Sequence, residues 1–139
     1  MDPINAATLT AFSGLNAQSV RMKVIAENIA NVQSTGKTPG SDPYRRKTVS
    51  FSNIMDEAKS ASIVQVDQTG LDRSSFPMEH APGHPAADRQ GNVKLPNVDM
   101  IVEMADMKES LRSYEANLQV IRQGREMMSS LVDLLRSTG

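Results

Sequence analysis

Residues Val98 to Arg136 carry a heptad seam that runs without a slip: Met100, Met104, Met107, Leu111, Tyr114, Leu118, Ile121, Arg125, Met128, Val132 and Leu135. The intervals alternate four and three, and Arg125 alone interrupts the apolar run. Side chains repeating at this period lie along one line of an α-helix, and that line needs a second helix against it. At about 1.5 Å per residue the rod is roughly 58 Å long. A rod of that length cannot fold back onto a small core, so its partner must be another long helix.

The other end of the chain offers one. Asp2 is a good N-cap and Pro3 suits the first helical position. A second seam then follows at Ile4, Thr8, Ala11, Leu15, Gln18, Met22, Ile25, Ile29 and Val32, widened by Leu9 and Phe12. Lys23 and Glu27 stand one turn apart on its outer face. Ser34-Thr35-Gly36 and Pro39-Gly40 end the helix. Setting Gln18 opposite Arg125 in an antiparallel pair makes partner numbers sum to 143, so that Ile29 faces Tyr114, Ile25 faces Leu118 and Met22 faces Ile121. Leu15 then faces Met128 and Ala11 faces Val132; each of these five pairs is apolar, and the two long polar breaks meet.

Between the helices the composition changes. Most of the Pro and Gly residues fall between residues 33 and 96, in TGKTPGSDP, QTG, APGHP and RQG. Short strands are expected at Lys47 to Phe51, Ser62 to Val66 and Asn92 to Leu95. Pro96-Asn97 opens the long helix, with Asn97 as its N-cap and Asp99 and Glu103 near its positive end. The expected fold is mainly α. Long N- and C-terminal helices pair as an antiparallel coiled-coil-like hairpin around a small β-rich or partly ordered insert. Residues 1–32 with 97–139 form the helical core and 33–96 the insert.

Composition narrows the function. Aromatics are 4% with no Trp, and nine Met residues stand in for them, adaptable fillers of a core or an interface. The formal charge of −1 provides no general attraction to nucleic acid or to an anionic membrane. Absence of Cys removes disulfides and thiolate metal sites. MDPINAATLTAF lacks the basic and apolar regions of a cleaved signal peptide, and no apolar run approaches a membrane span.

Motifs for chemistry are thin. His80 and His84 flank Pro82 and Gly83 with Glu79 and Asp88 nearby, but a Pro-broken loop does not set two imidazoles on one helical face. A structural or solvated role is the better reading. Arg45-Arg46-Lys47 reads as a solvated strand edge. No phosphate loop, nucleophile elbow or Cys nucleophile is present. The expectation is a protein without catalytic residues, metal or cofactor. Asn28 and Asn31, late in the first helix, either cap it or bond an adjacent helix. Tyr114 and Asn117 form a similar aromatic-plus-amide cluster. Gly124 costs about 1 kcal/mol relative to Ala inside a helix, which close approach of another backbone would offset.

RMKVIAENIANVQST followed by PYRRKTVSF resembles the N-terminal signature of the bacterial flagellar axial proteins, the rod and hook family. HAPGHPAADRQGNVKLPNVDM, running into the seam helix, resembles the proximal-rod branch of that family. The resemblance implies a structural subunit of the periplasm-spanning basal-body rod, which transmits torque to the hook and filament. It implies export without signal cleavage by the flagellar type III apparatus, and terminal helices forming the inner tube of a helical assembly. Its implied partners are other rod subunits, copies of itself and the export-gate adaptor at the base. Asn28, Asn31, Tyr114 and Asn117 fall in the family's ENIAN- and YEAN-type motifs. With the seams, this gives an expected assembly interface of Leu15, Gln18, Met22, Ile25, Asn28, Ile29, Asn31, Met107, Leu111, Tyr114, Asn117, Leu118, Ile121, Arg125 and Met128. The competing reading is a coiled-coil adaptor or secreted helical hairpin that does not polymerise.

Overall fold

The computed structural model describes residues 2–139. Its elements run α1 (Pro3–Ala30), β1 (Lys47–Asp56), β2 (Ala61–Leu71), β3 (Met78–His80), β4 (Asn92–Lys94) and α2 (Met100–Ser137). The two helices hold 28 and 38 of the 139 residues, just under half. The chain is therefore two long terminal helices with a small β middle, and "mainly α" overstates the helical share.

α1 starts as its sequence directs. Asp2 Oδ1 accepts the Ile4 N–H at 3.2 Å, and the Asp2 carbonyl accepts that of Ala6. At the other end Asn31 caps its own helix, donating from Nδ2 to the Glu27 carbonyl at 2.9 Å and accepting the Ser34 hydroxyl. The cap of α2 differs from expectation. Asp99, not Asn97, is the N-cap: its Oδ1 accepts the Ile101 N–H at 3.0 Å and its carbonyl that of Glu103. Asn97 is drawn away by tertiary partners described below.

β1 pairs with β2, and both strands are longer than the sequence pattern suggested. The turn joining them holds Ser60 at φ 50°. β3 and β4 form a short antiparallel pair, with Met78 opposite Lys94, Glu79 opposite Val93 and His80 opposite Asn92. Between them the Pro-rich loop folds back tightly. Asp88 Oδ1 accepts the N–H groups of both Gln90 and Asn92, and Gly91 takes φ 82° where a Cβ would lie 3.0 Å from the Pro82 ring. Ala86, Ala87 and Val93 make a small core beneath this loop.

The chain divides into two compact units. One contains the chain up to Met22, Ser50–Gln68 and Glu109–Gly139; the other contains Lys23–Val49 and Thr69–Lys108. In the first, α1 and α2 touch at small residues. A Cβ added at Gly124 would lie 2.7 Å from Thr8 Oγ1, and one at Gly14 would lie 2.7 Å from the Asn117 amide nitrogen. Arg21 reaches Glu109 at 3.5 Å. These pairs total 132, 131 and 130 in residue number, so the expected total of 143 is not the register observed. Gln18 does not face Arg125, which is exposed. The close neighbour of Gly124 is also a side chain, Thr8, and not a backbone.

The offset has a physical cause. The α2 positions turned inward are Glu103, Met107, Ser110, Tyr114, Asn117, Ile121 and Gly124, of which Glu103, Ser110, Ile121 and Gly124 are buried. This line shares Met107, Tyr114 and Ile121 with the apolar seam but replaces its other half with small or polar residues. α1 answers with the buried Ala11, Gly14 and Ala17. Small side chains allow close approach, and close approach selects this register over the apolar one.

Candidate assembly interface

In the second unit the sequence builds a polar hub on Asn28, which is 1% exposed. Its Oδ1 accepts the Lys47 N–H at 2.9 Å and the Tyr44 hydroxyl at 2.8 Å. Its Nδ2 donates to the Lys47 carbonyl at 2.9 Å and to Glu103 Oε2 at 3.3 Å. A primary amide has two donors and two acceptor sites, and all four are used. Asp would lose both donors and set a carboxylate against Glu103.

Glu103 is the most buried charged residue, at 0% exposure, and Arg46 Nε donates to it. The same guanidinium lies 3.4 Å from Asp72 and 3.7 Å from Asp106. A fully buried carboxylate persists only when paired and hydrogen-bonded. Asn97 secures the arrangement, accepting the Arg46 N–H at 2.7 Å and donating to the Asp72 carbonyl at 3.0 Å and to Ser74. Arg45 stacks 4.1 Å above the Phe76 ring. The basic run is thus not a simple solvated edge: Arg46 turns inward, and Lys47 holds Glu27 at 2.8 Å.

The electrostatics follow. The Glu103 bond raises Arg46 above the usual guanidinium value. Ser74 N–H and hydroxyl, then Arg46, hold Asp72 below the usual carboxylate range. Glu27 is lowered and Lys47 raised by their mutual bond. Desolvation pushes the Tyr44 phenol up.

The expected interface residues separate into two sets. Ile25, Asn28 and Ile121 are buried within the chain, and Leu15, Met22, Ile29, Asn31, Met107, Tyr114, Asn117 and Leu118 are half-buried. Gln18 is half-buried with its Oε1 buried and unpartnered, as is Ser110 Oγ. Leu111, Arg125 and Met128 are exposed, together with Met104, Leu131, Val132 and Leu135. The apolar side of α2 therefore remains open to solvent while its small and polar side faces inward. Sequence reasoning missed Tyr44, Arg46, Asp72, Asn97 and Glu103 as a group. The available signal was the heptad Glu103, Ser110, Asn117, Gly124, one residue away from the apolar seam.

The histidines have local partners. His84 Nδ1 accepts the Ala86 N–H at 3.0 Å and its Nε2 lies 3.4 Å from Thr35 Oγ1, while His80 Nδ1 lies 3.3 Å from Asn92 Oδ1. Both rings serve the loop. Among the described residues no cluster of three or more His, Asp or Glu side chains is arranged to hold a metal, and no helix is long and apolar enough to cross a membrane.

The helical ends match two family models: residues 9–36 match "Flagella basal body rod protein", and residues 89–134 match "Flagellar basal body rod FlgEFG protein C-terminal". The flagellar basal-body rod protein FlgC of Agrobacterium fabrum is 54% identical over 138 residues, 99% of each chain. The chain belongs to the FlgC family of flagellar basal-body rod proteins. FlgC of Borreliella burgdorferi is 35% identical, covering 91% of this chain and 93% of its own, and FlgC of Bacillus subtilis is 36% identical over 91% and 99%. A FlgC-family chain is a structural rod subunit of the flagellar basal body.

Proposed function

We propose that the chain polymerises with copies of itself and with other rod proteins into the periplasm-spanning drive shaft. The observation that carries this reading is the open apolar side of α2, with Met104, Leu111, Met128, Val132 and Leu135 all exposed. An exposed apolar stripe of this extent marks an interaction surface. A surface that meets a different surface on its neighbour, without closing, generates a helical tube.

In this reading α1 and α2 pair as an antiparallel coiled-coil-like hairpin, and residues 1–32 with 97–139 are the axial core from which 33–96 projects. Leu15, Gln18, Met22, Ile25, Asn28, Ile29, Met107, Tyr114, Asn117, Leu118 and Ile121 hold the hairpin, with Asn31 capping α1; Leu111, Arg125 and Met128 meet neighbours. The export-gate adaptor is the partner at the base. The chain acts mechanically and not as an enzyme. It travels through the flagellar type III apparatus largely unfolded and without signal cleavage, and completes its order on docking, where apolar burial offsets the ordering entropy.

An epitope-tagged copy expressed in a strain lacking the chromosomal gene should restore swimming and remain in detergent-isolated basal bodies within the rod. A tag found only as a free monomer or dimer, in cells that swim without the gene, would replace this reading with that of a non-polymerising adaptor.

A further inference from the structure

At the end of β2 the chain builds a cationic notch. Arg45, Leu71 and Arg73 line a cavity of about 430 Å³, and among the described residues no carboxylate lines it. Arg45 is held in place there. Its Nη1 donates to the Asp72 carbonyl at 2.8 Å and to the Ser74 carbonyl at 3.1 Å, and the Phe76 ring supports the guanidinium from below. A guanidinium has five N–H donors, so the Nε and Nη2 edge, which can grip a carboxylate with two parallel bonds, is left over. Arg73 is exposed, and its side chain has no partner among the described residues. The Asp72 carboxylate does not answer these charges, because it accepts the Ser74 N–H at 2.9 Å and pairs with Arg46.

We propose that this notch takes the β1–β2 turn of a second copy of this chain, with Glu57 between the two guanidinium groups and Met55 against Leu71. The inference rests on the rod-subunit reading and deepens it by naming a surface and its occupant. The turn is opposite in charge and alike in its apolar part. Glu57 is exposed, and its carboxylate has no partner among the described residues. Lys59 lies 3.7 Å from Asp56, which leaves Glu57 as the turn's open charge. Met55 is 63% exposed and Leu71 57%, so both sides bring an uncovered apolar group next to the ionic one.

Other carboxylates fit less well. On α2, Glu126 and Asp133 stand beside exposed apolar residues, but Arg122 and Arg136 lie one turn from them and compete for their charge. Glu79 sits in a paired strand opposite Val93, whereas a turn can enter a notch. A copy cannot use its own turn. β1 is ten residues long and pairs with β2, so at about 3.3 Å per residue the turn stands about 30 Å along the hairpin from Leu71. Turn and notch are different surfaces, so each copy offers one of each and the contact passes from copy to copy. Opposite charges across such a contact select the partner and set its register.

The absence of native Cys makes the test direct. Ala58→Cys and Ser75→Cys versions, each with one thiol at an exposed position beside the paired charges, are expressed together, and isolated basal bodies are oxidised. A disulfide-linked dimer is expected from the mixed strain and from neither version alone. No dimer in basal bodies containing both versions overturns the proposal, as does an equal yield from either version alone. A photoreactive p-benzoylphenylalanine at position 75 should attach to residues 55–60 of another copy, and an adduct to a different rod protein overturns the proposal. Arg73→Glu and Glu57→Arg should each lower retention in basal bodies about tenfold, since like charges across a contact are strongly disfavoured, while the urea midpoint of the purified chain stays at the parent's value. Both changes in one chain restore the opposite pair and should restore retention. Full retention of Arg73→Glu, or no rescue by the combination, overturns the proposal. Absence of the unsubstituted tagged chain from basal bodies would instead sink the rod-subunit reading itself.

Discussion

The side-chain amide of Asn28 holds both the N–H and the C=O of Lys47, each at 2.9 Å. A neighbouring β-strand would make the same pair of bonds. A helix side chain thus substitutes for a strand at the start of β1, and its remaining donor goes to the buried Glu103.

Substitutions at Asn28 should rank by chemistry rather than by size. Asn28→Asp keeps the shape but removes both donors and faces Glu103 with like charge. It should lose about 3–4 kcal/mol, more than the roughly 1–3 kcal/mol expected for Asn28→Ala. Urea unfolding of purified protein measures both. An Asp variant as stable as the parent would show that the amide is not the keystone.

Arg46→Ala strands the Glu103 carboxylate inside the fold and should cost about 3–5 kcal/mol. Arg46→Ala combined with Glu103→Ala removes the stranded charge, so the double variant should lose clearly less than the two singles added together. A double-mutant cycle gives the coupling; strict additivity would contradict the pairing.

Stability should fall on the acid side through two groups. Asp72 and Glu27 titrate lower folded than unfolded, so their contributions are complete above the ordinary carboxylate values of 3.8 and 4.5 and are lost as pH falls through the folded values. Lys47 is raised, so its contribution is complete below 10.5 and is lost as pH climbs through its folded value. Melting temperature should therefore hold steady from about pH 5 to about pH 10 as far as these groups decide it. Asp72→Asn with Glu27→Gln should flatten the acid limb; an unchanged limb would assign acid loss to other groups.

Leu111→Asp and Ile121→Asp should part company. Leu111 is 45% exposed, so a charge there leaves the free chain within about 0.5 kcal/mol of the parent yet blocks rod assembly and motility. Ile121 is buried, so Asp there destabilises the chain itself by several kcal/mol, about 3 or more. Lys59→Ala, on the exposed turn between β1 and β2, should be silent in both assays. Normal swimming by the Leu111→Asp strain would remove the apolar stripe from the assembly account.

The elements were legible in the sequence because their signals are local. Asp2-Pro3 is enough to start α1, and the heptads are enough to draw α2. The cap of α2 was not, since Asn97 and Asp99 are both able caps and only Arg46, Asp72 and Ser74 decide between them. The helix register was misjudged for a related reason. Apolar spacing marks what is hidden from water eventually, and it does not distinguish a contact inside the chain from one with a neighbour. The inward line of Glu103, Ser110 and Gly124 looks unfavourable as a seam until Arg46, Asn28, Ala11 and Gly14 are brought alongside it. β3 has no signal of its own beyond three residues, and it exists because β4 pairs with it.

The grip of Asn28 on Lys47 involves main-chain atoms only, and this divides the freedom of the two positions unequally. Many side chains at 47 would present the same N–H and C=O, with proline barred because it lacks the hydrogen. Asn28 has no comparable substitute, since Gln sets its amide one carbon too far and Asp cannot donate. Among homologous chains, position 47 should vary in identity while keeping its backbone shape, and position 28 should barely vary at all.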